Sequence, residues 1–224
     1  HLVAGDLEKG FREYEWRWQL PESPPRYSDI PAWDGETLDG KTLLVHTEQG
    51  FGDAIQFLRY LPMAATRGGR VVYECPAPLI RLVRTSPLSE NIELVEQGTL
   101  VARADYQIAL LSLARVFKTS LATIPSEGPY LHPPADGPKL QVPSDGPRIG
   151  LVWAGKPTHK NNRNRSISLE TMLPLLELTN MRFVGLQKGD GADQPKVLGA
   201  DALVINIGER MRDFADTASI LKQL

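Results

Sequence analysis

The chain has 224 residues, 42% hydrophobic and 23% charged, and 25 Lys and Arg against 27 Asp and Glu leave a net charge of −2. That balance is ordinary for a globular protein and gives no global electrostatic support to nucleic-acid binding. A lone Cys75 excludes an internal disulfide and any multi-cysteine metal site.

The length admits one large domain or two small ones. No apolar run approaches the ~20 residues that cross a bilayer, so no membrane span is expected. The single cysteine fits a cytoplasmic protein. The chain opens at His1-Leu2-Val3 without a Met and stops at Leu224 inside a helical pattern, so a piece of a longer protein, cut at both ends, is expected.

Residues 2–20 read as the end of a helical region, with Phe11, Tyr14 and Trp18 on one face at three- and four-residue spacing. Residues 21–40 hold Pro21, Pro24, Pro25, Pro31, Gly35 and Gly40, the composition of a linker or an irregular wrap. From 41 to 124 strands and helices alternate. Strands are expected at 42–47, 70–74, 92–95 and 105–109, and helices at 53–67, 77–85 and 111–118. This pattern predicts a parallel sheet of βαβ units.

Residues 125–147 contain seven prolines and predict an inter-domain connection. A second α/β unit, 148–224, then begins. Strands are expected at 148–153, 182–186 and 202–206, and helices at 168–178, with Ser168 as cap, and from 211 onward. Three strands in about 75 residues leave an under-sized core and an open edge, so this second domain is expected to be incomplete.

Three loops carry candidate chemistry. Gly50-Phe51-Gly52-Asp53 follows the first strand and opens a helix containing Gln56. Its glycines predict special backbone angles or close ligand approach, with Gly52→Val harmful to folding and binding alike, and the helix start offers unpaired N–H groups. It is neither a dinucleotide fingerprint, since Ile55 replaces the third glycine, nor a Walker loop. Asp53 there is either a helix cap or a base.

The second loop runs from Trp153 to Ser166 and gathers Lys156, His159, Lys160, Arg163 and Arg165. Four cations among Asn, Thr and Ser donors suit a di- or triphosphate, with a solvated basic surface as the alternative. The third, Gln187-Lys188-Gly189-Asp190-Gly191, is either an ordinary turn or a contact to a base or ribose. Trp16, Trp18 and Trp33 read as core or docking residues, His46 as a satisfied core histidine, and Asp213 as a cap.

Several motifs stand together in order. They are Glu13-Tyr14-Glu15-Trp16-Arg17-Trp18, Trp33-Asp34-Gly35, Glu48 to Tyr60, Trp153-Ala154-Gly155, Asn162 to Ser166, Leu186-Gln187-Lys188-Gly189 and Asp213 to Ala218. In these the chain resembles bacterial tetratricopeptide-repeat proteins that carry a C-terminal region related to the heptosyltransferases, glycosyltransferase family 9. The resemblance implies a GT-B architecture, two Rossmann-like domains facing across a cleft. The first would take the acceptor (a glycan, lipid or protein) and the second a nucleotide-diphosphate sugar.

By the same resemblance Asp53 is the general base of an inverting transfer, and Lys156, Arg163 and Arg165 match the cationic contacts to the donor phosphates. Such enzymes need no metal or other cofactor, because protein cations stabilise the leaving diphosphate. The repeat array, which would bring protein partners, is expected upstream, with only its last helix present. A family segment that forms much of the donor pocket is also missing, so the fragment is expected to be inactive alone. The competing expectation is a catalytically inactive transferase-fold scaffold attached to repeats.

Overall fold

The computed structural model describes residues 1–21, 23–99, 103–143 and 145–224. They divide into two units, His1–His132 and Pro133–Leu224. The division falls inside the proline-rich stretch 125–147, and residues 133–147 fold with the second unit.

In the first unit the apolar run Leu43-Leu44-Val45 becomes β1 (Thr42–His46), buried on both faces as a central parallel strand must be. β2 (Arg70–Cys75) and β3 (Ile92–Glu96) extend the sheet to one side, and β4 (Tyr106–Ala109) pairs on the other. All three pairings are parallel, with Leu44 level with Val72 and with Gln107. The order β3-β2-β1-β4 reverses direction between β1 and β4. In such sheets the crevice at the carboxyl end of that switch point is where ligands bind.

The helices are shorter than their periodicity predicts. α1 (Leu7–Tyr14), capped by Asp6, gives way to a 3-10 segment at Glu15–Gln19, so Trp18 lies beyond the regular helix. The expected helix 53–67 is α2 (Phe51–Phe57), a 3-10 turn at Leu58–Tyr60 and α3 (Leu61–Ala65). Pro62 accounts for part of this, since it lacks an N–H and is tolerated only in a first helical turn. α4 (Ala77–Arg84) follows β2, and α5 (Leu113–Val116) follows β4 through a 3-10 turn at Leu110–Ser112. Residues 1–40, expected as a separate repeat end and linker, are part of this unit. Trp33 is 1% exposed, donates its indole N–H to the Glu36 carbonyl and packs edge-on to Phe117. Trp16 is 69% exposed and belongs to no core.

In the second unit β5 (Arg148–Leu151), β6 (Arg182–Gly185) and β7 (Val204–Asn206) are parallel in the order β5-β6-β7. The helices are α6 (Leu169–Leu176), the unanticipated α7 (Gln194–Val197) and α8 (Phe214–Leu221). Ser168 and Asp213 cap α6 and α8 by accepting backbone N–H groups, as the sequence predicts. Alternation along β6 separates two apolar clusters. Phe183 packs with Trp153, Leu169, Leu176 and Val204, while Val184 packs with Val142, Leu186, Ile207, Met211 and Ile220. The fold of both units is thus α/β with parallel sheets. Among the described residues no helix is long and apolar enough to cross a membrane.

Candidate functional site

The Gly50-Phe51-Gly52-Asp53 turn is less unusual in backbone than its glycines predict. Gly50 has φ −69°, and Gly52 is absent from the positive-φ positions. A Cβ on Gly52 would meet nothing within 4 Å. Neither glycine is needed for a left-handed angle, so the expectation that Gly52→Val damages folding is corrected. Asp53 lies in the first turn of α2, half-buried, and Gly50, not Asp53, is the N-cap. No hydrogen bond within the described residues caps α2 through its carboxylate. Gln56, one turn on, is exposed.

The carboxyl end of the first sheet is occupied by the N-terminal segment. Arg17, 7% exposed, donates to Glu48 at 3.1 Å, to Glu15 at 2.7 Å and to the Ser112 hydroxyl at 2.7 Å. Its guanidinium also stacks 4.3 Å over the Trp18 ring. Arg115 bridges Glu15 and Asp34. Gln49 donates to the Tyr14 hydroxyl at 2.8 Å. The Glu-Trp-Arg-Trp and Glu-Gln-Gly-Phe-Gly-Asp motifs are therefore two halves of one contact. Burial pushes the Glu48 carboxyl up, and Arg17 offsets only part of that.

A second anchor lies beside it. Glu74 in β2 has a fully buried side chain and accepts from Arg26 at 2.8 Å, from the Tyr27 hydroxyl at 2.8 Å and from the Gly98 N–H at 3.0 Å. Burial alone would raise this carboxyl, but the Gly98 amide, Arg26 and Tyr27 hold it below the usual carboxylate range. Tyr27 adopts φ +56°, a conformation unfavourable for a bulky residue, and its bond to Glu74 offsets that strain.

His46 is 2% exposed, with Nε2 3.1 Å from the Gln107 Oε1, and burial pushes its pKa down to about 4. It is a core histidine, as the sequence predicts, but not a satisfied one, since among the described residues its Nδ1 has no hydrogen-bond partner. Sequence reasoning missed these buried charges, which pair across 31 positions for Arg17 and Glu48 and 48 for Arg26 and Glu74. One signal was available: Glu74 is a lone carboxylate in the apolar strand Val71-Val72-Tyr73-Glu74-Cys75, which demands a cation from elsewhere.

The second unit holds the basic loop at the carboxyl end of β5. Its frame is internal. The buried Gln187 accepts from the Trp153 and Ala154 N–H groups at 3.1 and 3.0 Å and donates to the Ala154 and Asp190 carbonyls. Its amide is thus committed to holding the turn. Ser166 accepts from the Gly155 N–H at 2.9 Å and donates to Asn162 at 2.8 Å, closing the loop on itself. His159 accepts the Asn161 N–H through Nδ1. Lys188 donates to the Met211 carbonyl.

On that frame Lys156, His159, Lys160, Arg163 and Arg165 are all exposed. The ion pairs described elsewhere in the chain do not include Lys156, Arg163 or Arg165. Gly155 makes room for one of them, since a Cβ there would come within 3.0 Å of the Arg165 Nε. Gly208 is needed where the chain returns beneath this loop, because a Cβ would meet the Gln187 carbonyl oxygen. Among the described residues no three His, Cys, Asp or Glu side chains come together as a metal set.

No family model matches the chain, and no solved structure matches it. A curated protein that does is Protein FlbA of Caulobacter vibrioides (strain ATCC 19089 / CIP 103742 / CB 15). It is 25% identical over 221 residues, an alignment that covers 84% of this chain and 36% of FlbA. The chain thus spans about a third of the length of the curated relative it matches.

Proposed function

We propose that the chain is part of an inverting glycosyltransferase of GT-B type, related to the heptosyltransferases of glycosyltransferase family 9 and attached to tetratricopeptide repeats. In this reading it transfers a sugar from a nucleotide-diphosphate sugar to an acceptor hydroxyl. The second unit takes the donor: Lys156, Arg163 and Arg165, with His159 and Lys160 on the same loop, hold the diphosphate. The observation that carries the reading is this group of exposed cations on a loop braced from within by Gln187, Ser166 and Asn162. A braced loop presents charge without first being ordered, which lowers the cost of binding an anion. Arg forks match phosphate oxygens bidentately, and their charge stabilises the leaving diphosphate without a metal.

Asp53 is the general base. It removes the proton from the acceptor hydroxyl as that oxygen forms its bond to the sugar carbon, and the nucleoside diphosphate leaves with the electron pair of the broken bond. In an active form of the protein, Asp53→Asn keeps nucleotide affinity and lowers turnover by ~10²–10⁴-fold.

Calorimetric titration of UDP, GDP, ADP and CMP tests the donor half. Micromolar binding of one nucleotide, lost in an Arg163→Ala/Arg165→Ala double variant, supports the reading and names the donor class. Absence of binding by all four favours the second reading, an inactive transferase-fold scaffold. The observation on that side is the ion-paired contact between the N-terminal segment and the carboxyl end of the first sheet.

A further inference from the structure

The basic residues of the loop after β5 are not equivalent, and the difference begins at the loop's roots. Trp153 and Leu169, on either side of it, are buried in one apolar cluster of the second unit. Between them the two limbs of the loop are tied side by side. The Ile167 N–H donates to the Trp153 carbonyl at 2.9 Å, and the Gly155 N–H to the Ser166 hydroxyl at 2.9 Å. Ser166 donates in turn to the Asn162 Oδ1 at 2.8 Å, and the Arg165 N–H to the Asn162 backbone carbonyl at 3.1 Å. The backbone of Arg165 is thereby fixed beside Gly155.

Its side chain is seated as well. A Cβ on Gly155 would stand 3.0 Å from the Arg165 Nε, 3.4 Å from its Cζ and 3.2 Å from the Asn162 Oδ1. The guanidinium and the Asn162 amide thus occupy the space that a side chain at 155 would fill. Gly155 is absent from the positive-φ positions, so it is close approach, not backbone angle, that calls for glycine here. Arg165 is nonetheless exposed, and among the described residues its guanidinium makes no hydrogen bond or ion pair. It rests on the loop with its donors unspent. Arg163, in the 3-10 turn Asn162–Asn164, is also exposed, but none of the contacts that seat Arg165 involves it. An arginine free in solvent gives up rotamer freedom when it grips an anion, and one already resting on a surface gives up less.

We propose that Arg165 is the pre-placed phosphate contact of this loop and that Gly155 is its positioning residue, because the missing side chain at 155 lets the guanidinium lie over the loop's root. The inference rests on the reading of the loop as a diphosphate site. It goes further in ranking the cations: Arg165 carries more of the affinity than Arg163, and Gly155, which touches no ligand, controls Arg165.

Two measurements on the whole chain test it. Nitrogen relaxation of the arginine Nε–H groups, assigned with Arg163→Lys and Arg165→Lys, reads side-chain order with no ligand present. The expected result is higher order at Arg165 than at Arg163, falling toward that of Arg163 in Gly155→Ala and further in Gly155→Val. Calorimetric titration of inorganic pyrophosphate, which carries the diphosphate without sugar or base, reads binding. Arg165→Ala weakens it about tenfold and more than Arg163→Ala does, Gly155→Ala weakens it about threefold, and Gly155→Ala adds nothing once Arg165→Ala is present. Thermal unfolding verifies that the variants are folded. Equal order at the two arginines overturns the proposal. So does full pyrophosphate affinity in both Gly155 variants, or a Gly155→Ala loss that persists in the Arg165→Ala background, the mark of a disturbed loop. Pyrophosphate binding that depends on Gly155, with no nucleotide bound, upholds the proposal and refutes the transferase reading alone, whereas absence of pyrophosphate binding overturns both.

Discussion

The ends of β1 and β5 make an instructive pair. Both are first strands of a parallel sheet, and each is followed by a loop rich in polar and charged residues. At β1 the arginines of the contact are answered from within the chain: Arg17 by Glu15 and Glu48, Arg26 by Glu74, Arg115 by Glu15 and Asp34. At β5 the loop is braced by neutral groups, Gln187, Ser166 and Asn162, while its cations extend into solvent. Charge placed inside a fold must be matched there, so it becomes structure. Charge held outside on a braced frame stays exposed to solvent, which is what the proposed diphosphate contact requires.

The comparison breaks most severely at Arg17. Arg17→Met leaves the buried Glu48 without its cation and Glu15 with Arg115 alone, and the expected loss is about 3–5 kcal/mol of stability, measured by urea unfolding. Adding Glu48→Gln removes the stranded charge and recovers a substantial part of that loss. Full stability in Arg17→Met alone would show that the N-terminal contact is incidental.

Next in size is acid sensitivity at His46. Its pKa falls from an ordinary 6.5 to about 4 on folding, so between those values the unfolded chain binds the proton and the folded chain does not. Stability therefore falls as pH drops from about 6.5 to about 4, by up to about 3 kcal/mol from this group. Burial is the main cause, with Arg26 and Arg17 adding to it and Gln107 and Glu74 opposing. His46→Gln abolishes that component, and unfolding curves at pH 7 and pH 4.5 measure it. Glu74 adds a loss of the same sign further down, since its carboxyl is held low and must be protonated in acid.

A smaller effect is expected at Gln187. Gln187→Ala strands the Trp153 and Ala154 amides beneath the basic loop, at a cost of about 1–3 kcal/mol. Trp153 is the second unit's only tryptophan, so its fluorescence in a Trp16→Phe/Trp18→Phe/Trp33→Phe background reports the change. The smallest effect on stability belongs to the cations themselves. Arg163→Ala/Arg165→Ala shifts unfolding by no more than about 0.5 kcal/mol, because surface residues without partners contribute little. The same double variant abolishes nucleotide binding in the proposed function. A large loss of stability there would return these residues to structure and dissolve the contrast with β1.

The sequence by itself determined the alternation of strands and helices, because the apolar runs at 42–47, 70–74 and 182–186 and the caps Ser168 and Asp213 are local signals. It also placed the basic loop after β5, since Lys156 to Arg165 are contiguous in the chain. Only the tertiary structure decided that residues 1–40 belong to the first unit, that Glu48 is a partner for Arg17, and that Gln187 is a brace. Arg17 and Glu48 lie 31 positions apart and Trp153 and Gln187 lie 34 apart, each pair meeting inside its own unit, and no local periodicity encodes such a meeting. Likewise the sequence shows two glycines before Asp53, but only the backbone shows that neither needs a left-handed angle. Glycine permits unusual conformations without requiring them, so its presence alone cannot say which it adopts.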